Sequence, residues 1–202
     1  MNLSTLFRLE ENLQLDKKTL VILRWIAIFG QLFAVNVVYN YLNLTFPIKE
    51  SYLIIFIGLS TNFYLQFKVK SNQLKDVYAS FFLIFDLIQL SSLLYLTGGI
   101  LNPFSFLLII PAIVSSTFLS MGTTIILGVF TSVLLFFLSY FYLPLPGIEV
   151  STFAFPIFYK TGILIAILIG LIFLSYFGIR FAGETKKRSE AFNKLQEVIS
   201  KE

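Results

Sequence analysis

The chain of 202 residues has no cysteine and no histidine. Without cysteine it holds no disulfide, no thiolate metal site and no thiol redox chemistry. Without histidine it has no His-ligated haem, no di-iron centre of the Glu-x-x-His kind, no Ser-His hydrolytic machinery and no phospho-histidine acceptor. Charge is scarce as well. Asp, Glu, Lys and Arg make up 13% of residues, against roughly 25% in soluble domains. No glycine-rich phosphate loop is present, so no motif offers an ATP site. The first eighteen residues, MNLSTLFRLEENLQLDKK, have mixed charge and no apolar core, and do not read as a cleavable signal peptide.

What is abundant is apolar surface. Hydrophobic residues make up 57% of the chain, with 24 Phe and 10 Tyr, and the mean hydropathy is +0.85. That composition rules out a water-soluble globule. The length suits about one domain, and at about 20 apolar residues per crossing it allows several passes through a bilayer. The formal charge of +4 does not point to nucleic acid here. In an apolar chain, basic residues mark the cytoplasmic face.

Apolar runs between charged or Pro/Gly-rich breaks predict six transmembrane helices, near 19–42, 51–67, 78–96, 104–120, 122–143 and 157–181. The second and fourth are close to the lower length limit for spanning. The expected fold is all-α and polytopic. Residues 1–18 form a cytoplasmic N-terminal segment, 19–181 the six-helix transmembrane domain, and 182–202 the start of a cytoplasmic coiled-coil linker. Arg8, Lys17 and Lys18 precede the first run, Lys68, Lys70 and Lys75 fill the second link, and Arg180, Lys186, Lys187, Arg188, Lys194 and Lys201 follow the last. The alternate links hold only Lys49 and Lys160. This asymmetry places both termini in the cytoplasm. Tyr39, Tyr41, Tyr52, Tyr64, Tyr78, Tyr95, Tyr140, Tyr142, Tyr159 and Tyr176 lie near segment ends, as an interfacial belt does.

In the tail, Phe192, Leu195 and Ile199 are spaced three and then four apart, as a and d positions are. This fits either an ordinary juxtamembrane amphipathic helix or a signalling helix that pairs in a homodimer. The pattern reaches Glu202 without a cap, Gly or Pro, so a longer parent protein is expected.

Arg24, Gln31, Asn36, Asn62, Asp86 and Gln89 interrupt apolar runs. An ionisable residue costs about 2.5–3.5 kcal/mol near the membrane centre on insertion scales. At 1.5 Å per residue, Arg24 and Asp86 lie ~8 and ~12 Å from the inner ends of segments one and three, within reach once Arg snorkels. Gln31 follows Arg24 by one heptad and Gln89 follows Asp86 by three residues, so each pair shares a helix face. The plain reading is structural glue between helices one and three. The sharper ones are a proton-coupled carboxylate at Asp86, as in a small transporter, or a ligand contact.

Segment three ends in LLYLTGGILNPFSFLLIIP. Gly98 and Gly99 can end a helix in left-handed geometry, Asn102 can cap the next helix, and Pro103 suits its first turn. A hairpin turn explains all of this. The same parts also form a candidate binding site at the outer bilayer boundary. The glycines expose backbone N–H groups, Asn102 offers an amide donor, and Tyr95 and Phe104 offer aromatic faces.

GGILNPF resembles the GGxxNPF heptapeptide of the RegB/PrrB/ActS redox-responsive sensor histidine kinases. LRWIAIFGQ, FDLIQLSSLLYLTGGILNPFSFLLIIPAIVSST, LPLPG and RFAGETKKR are similar to the same membrane region, and the likeness runs from about residue 20 to the end. The resemblance implies a six-helix sensor in the bacterial inner membrane that reads the ubiquinone pool. It further implies a downstream kinase that phosphorylates its own histidine, and a cognate response regulator. It marks Gly98, Gly99, Asn102, Pro103 and Phe104 as quinone candidates. The histidine box, nucleotide-binding domain and redox-active cysteine of that family would lie beyond Glu202. No catalytic residue and no metal site are expected in this chain. The competing expectation is a small proton-coupled transporter built on Asp86, with a broken helix near Pro111. A membrane enzyme lacks paired carboxylates or an activated nucleophile here.

Overall fold

The computed structural model describes residues 15–147 and 156–199. The N-terminal segment up to residue 14, with Arg8, part of the 141–156 link, and residues 200–202 lie outside the described residues.

In chain order the elements are β1 (Leu15–Asp16), α1 (Lys17–Asn36) running into a π-helical turn (Val37–Tyr41), α2 (Ile48–Lys68), β2 (Gln73–Leu74) and α3 (Asp76–Leu96). Two 3-10 segments follow, Gly99–Leu101 and Pro103–Ile109, then α4 (Ile110–Phe118), α5 (Met121–Tyr140) and α6 (Ile157–Ile199). The helices therefore fall on the six apolar runs. Four stretches among the described residues, Lys17–Tyr41, Asp76–Leu96, Met121–Tyr140 and Ile157–Gln196, are long and apolar enough to cross a membrane. Helix α2 is long enough at 21 residues, but Lys49, Glu50, Asn62, Gln66 and Lys68 dilute its apolar character.

The fourth run differs from the continuous α-helix expected over 104–120. Its first seven residues are 3-10 and only nine are α-helical. A 3-10 turn rises about 2.0 Å per residue against 1.5 Å in an α-helix. Sixteen residues in this mixture therefore extend about 27 Å, whereas sixteen α-helical residues reach about 24 Å. The hydrocarbon core is about 30 Å thick. Pro111 sits in the first turn of α4, where its missing N–H costs little, so the 3-10 segment passes straight into α4 without a gap.

Two ends of the bundle are tied by different chemistry. At the basic end β1 pairs antiparallel with β2, Leu15 opposite Leu74 and Asp16 opposite Gln73. Asp16 caps α1 by accepting from Thr19 N at 3.2 Å. Lys17 Nζ donates to Val69 O at 2.7 Å, closing the C-terminus of α2. Asp76, at the start of α3, accepts from Ser120 N at 3.0 Å and Ser120 Oγ at 2.8 Å, and also from Thr123 Oγ1. One carboxylate thus clips the α4–α5 turn to the α2–α3 link. At the opposite end Leu143 N donates to Tyr95 O at 2.8 Å, holding the chain after α5 against the end of α3.

The core is built of leucines. Leu20, Leu65, Leu87, Leu94, Leu108, Leu127, Leu135 and Leu138 are essentially inaccessible. The surface is apolar too: Phe33 is 72% exposed and Ile172 71%. A shell of exposed large hydrophobics around a core holding Arg24, Asn62 and Gln89 is the arrangement a hydrocarbon solvent favours. Against this bundle α6 packs on α4 at Gly178, where an added Cβ would collide with the Ser116 side chain. Helix α6 is 43 residues long, about 65 Å at 1.5 Å per residue, twice the hydrocarbon thickness.

Candidate functional site

The GGILNPF turn is a hydrogen-bonded structure in its own right. Gly98 and Gly99 have φ of 107° and 58°, the left-handed region that L side chains resist. Thr97 Oγ1 donates to Leu93 O at 2.8 Å and closes the last turn of α3. Asn102 then uses both ends of its amide. Its Nδ2 donates to Thr97 O at 3.0 Å and to Thr97 Oγ1 at 2.8 Å, and its Oδ1 accepts from Phe104 N at 2.9 Å. Asn102 is therefore the N-cap of the 3-10 segment, with Pro103 in its first turn. Ser105 Oγ donates to Ile100 O at 3.2 Å and fastens the two 3-10 segments together.

The chain after α5 covers the glycines. A Cβ on Gly98 would strike the Leu145 side chain, and a Cβ on Gly99 would lie 2.5 Å from Leu138 O and 2.6 Å from Tyr142 Cβ. Both glycines are needed for this close approach as well as for their dihedrals. Leu145 and Tyr142 cover the sides of Gly98 and Gly99 where a Cβ would lie, and the expected free donor of Asn102 is turned onto Thr97. The aromatic members remain accessible: Tyr95 is 37% exposed and Phe104 45%. Tyr95 stacks on Phe137 with ring centroids 6.4 Å apart.

A second constellation lies deeper in the bundle. The structure brings Arg24 and Asp86 together. Arg24 Nε donates to Asp86 Oδ1 at 2.9 Å, and Nη2 lies 2.9 Å from the same oxygen. Nη2 also donates to Thr61 Oγ1 at 2.7 Å, so the guanidinium joins α1, α2 and α3. Phe82 and Phe85 face it at 5.3 and 5.7 Å from their ring centroids. Two turns further along α1 and one along α3, Gln89 Nε2 donates to Gln31 Oε1 at 2.8 Å. Gln89 also fills the space above Gly58, whose added Cβ would lie 3.0 Å from Gln89 Nε2. The four polar residues thus form one ladder between α1 and α3, with α2 closing its side. Asp86 is a partner in an ion pair with Arg24.

Several contributing residues were not singled out in the sequence. Thr61 and Thr97 are ordinary in composition, and only their partners give them weight. Asp76 resembles any first-turn acid, and Ser120 with Thr123 carries the one available signal, a hydroxyl N-cap preceding an apolar run.

The model of the PilS-like transmembrane domain family matches residues 9–190. Two sensor histidine kinase RegB sequences of Cereibacter sphaeroides are each 37% identical to the chain over 186 residues, which is 92% of this chain and 40% of the relative. The chain therefore spans less than half the length of these curated relatives. No solved structure matches it. An apolar helical bundle with a buried ion pair, a glycine-rich hairpin turn and a sequence shared across nearly its whole length leads to one conclusion: the chain belongs to the PilS-like transmembrane domain family and is a multi-pass membrane region of the RegB sensor type.

Proposed function

We propose that this chain is the membrane input module of a two-component sensor histidine kinase. On this reading it crosses the bacterial inner membrane six times with both termini in the cytoplasm. It senses ubiquinone from the bilayer beside the GGILNPF turn and signals through α6 to a downstream kinase domain and its response regulator. The observation that carries the reading is the 37% identity with RegB over 92% of the chain. The fold adds two supports. The turn and α6 are linked through α4, which follows the heptapeptide by way of the 3-10 segment Pro103–Ile109 and packs at Ser116 on Gly178. Helix α6 continues past the apolar region as an exposed helix bearing Lys186, Lys187, Arg188 and Lys194, a geometry that carries motion away from a membrane. The exposed Phe192, Leu195 and Ile199 supply the apolar seam for pairing with a second copy.

The direct test is photolabelling of the chain in lipid nanodiscs with an azido-ubiquinone. The reading expects saturable labelling that unlabelled ubiquinone competes away. Labelling that never saturates would count against quinone sensing by this region.

A further inference from the structure

The link between α2 and α3 is short, basic and tied down. Lys68 ends α2, Lys70 follows it, and Lys75 immediately precedes α3. Three ties fasten the link to the start of α1. Lys17 N donates to Asn72 O at 2.9 Å, Lys17 Nζ donates to Val69 O at 2.7 Å, and β1 pairs with β2. Leu15 and Leu74 anchor this ribbon in the core. Lys18, in the first turn of α1, stands beside it. Lys18, Lys68, Lys70 and Lys75 are all exposed, and none of them forms an ion pair among the described residues. The two acids nearby are turned to other partners. Asp16 caps α1 through Thr19 N, and Asp76 accepts from Ser120 and Thr123. Four cations thus stand together on a fixed backbone platform. One turn into the helices the surface changes. Tyr64 and Phe67 of α2 and Tyr78 of α3 are exposed rings. Aromatic rings next to lysines at helix ends mark the depth of the lipid headgroups.

We propose that the α2–α3 link, with Lys68, Lys70 and Lys75 at its centre and Lys18 at its edge, is a binding site for the phosphate headgroup of an anionic phospholipid. The occupant follows from charge and depth together. A phosphodiester with no cation of its own complements the four ammonium groups, and its acyl chains lie along Tyr64, Phe67 and Tyr78. A zwitterionic headgroup brings a cation that the same lysines repel. A soluble phosphate or an acidic protein surface answers the charge alone, whereas a lipid answers the charge and the aromatic surface in one molecule. The backbone ties hold the platform in place beforehand, so binding orders little beyond the lysine side chains. The site stands at the opposite end of α3 from the GGILNPF turn and is independent of the quinone reading.

Native mass spectrometry of the purified chain, titrated in detergent with phosphatidylglycerol or phosphatidylcholine, tests this. The unchanged chain should retain phosphatidylglycerol at least about fivefold more tightly than phosphatidylcholine. The triple change Lys68→Gln, Lys70→Gln and Lys75→Gln should weaken phosphatidylglycerol about tenfold or more and leave phosphatidylcholine unaffected. Arginine at the same three positions keeps the charge and should keep the binding. Should the glutamine triple not fold, Lys70→Gln with Lys75→Gln leaves the end of α2 intact and should still weaken binding roughly fivefold. A second triple, Lys186→Gln, Lys187→Gln and Lys194→Gln, removes equal charge from the extension of α6 and should leave binding unchanged. Equal loss in the two glutamine triples would make binding a matter of net charge and overturn the site. Equal affinity for the two lipids would overturn it as well. Displacement of the lipid by glycerol phosphate would assign the lysines to a soluble phosphate, and displacement by poly-glutamate to an acidic protein surface; either result overturns the proposal.

Discussion

Asn102 shows how one side chain can be read two ways. Its amide looks like a ligand donor at a membrane boundary, but in the fold it makes three hydrogen bonds across its own turn. Asn102→Leu should therefore lower stability by about 1–3 kcal/mol, the usual cost of leaving buried partners unsatisfied. Thermal unfolding in detergent measures this, and an unchanged midpoint would contradict the capping role. Arg24 and Asp86 invite the companion experiment. Each is expensive alone in the membrane, so each single change to Leu should cost more than its share of the double change. Coupling of about 0.6–1.7 kcal/mol is expected, read from a double-mutant cycle, and strict additivity would contradict the contact. Arg24 and Asp86 were legible as partners because charge is rare in apolar runs and helix rise converts position into depth. Thr97 was not, because serine and threonine ordinarily bond the preceding helical turn, as Thr97 Oγ1 does to Leu93 O, and sequence does not show which of them also accept from a neighbour such as Asn102 Nδ2.

Helix boundaries are the most legible part of the chain, and helix type the least. All six apolar runs appear as helices, since solvent-excluded backbone must pair within its own segment. The fourth run departs from the pattern. Its seven-residue 3-10 stretch begins at the Asn102 cap and ends where α4 begins beside Pro111. Runs longer than 3–4 residues are uncommon in this geometry, and nothing in PFSFLLI distinguishes it from an α-helix by periodicity over so short a length. Downstream, α4 meets α6 at Ser116 and Gly178 with no room for a side chain. Gly178→Ala should destabilise the bundle by about 1–3 kcal/mol through overpacking. Adding Ser116→Ala should restore part of that loss by removing the hydroxyl the new methyl strikes. If the second change gives no recovery in thermal unfolding, the two helices do not meet as described.

For the whole molecule, charge asymmetry and tertiary ties agree on two ends. The β1–β2 pair, the Lys17–Val69 bond and the Asp76 clip gather the basic links at one end. The Tyr95–Leu143 bond gathers the alternate links at the other. A chain without cysteine suits a labelling test of six crossings. Thr45→Cys should react with an impermeant maleimide in intact cells, and Lys70→Cys only after permeabilisation. Reaction of both from the same side would refute the six-crossing map.

On the proposed function, ligand entering from the bilayer near the GGILNPF turn moves α6. Pulsed electron-spin distance measurement between labels at Ser71→Cys and Glu190→Cys, in nanodiscs with and without ubiquinone, tests it most directly. Helix shifts in switching proteins are about 1–2 Å, so saturating ubiquinone should displace or reweight the distance distribution by at least that amount. An identical distribution under conditions where ubiquinone is shown to bind would contradict the account.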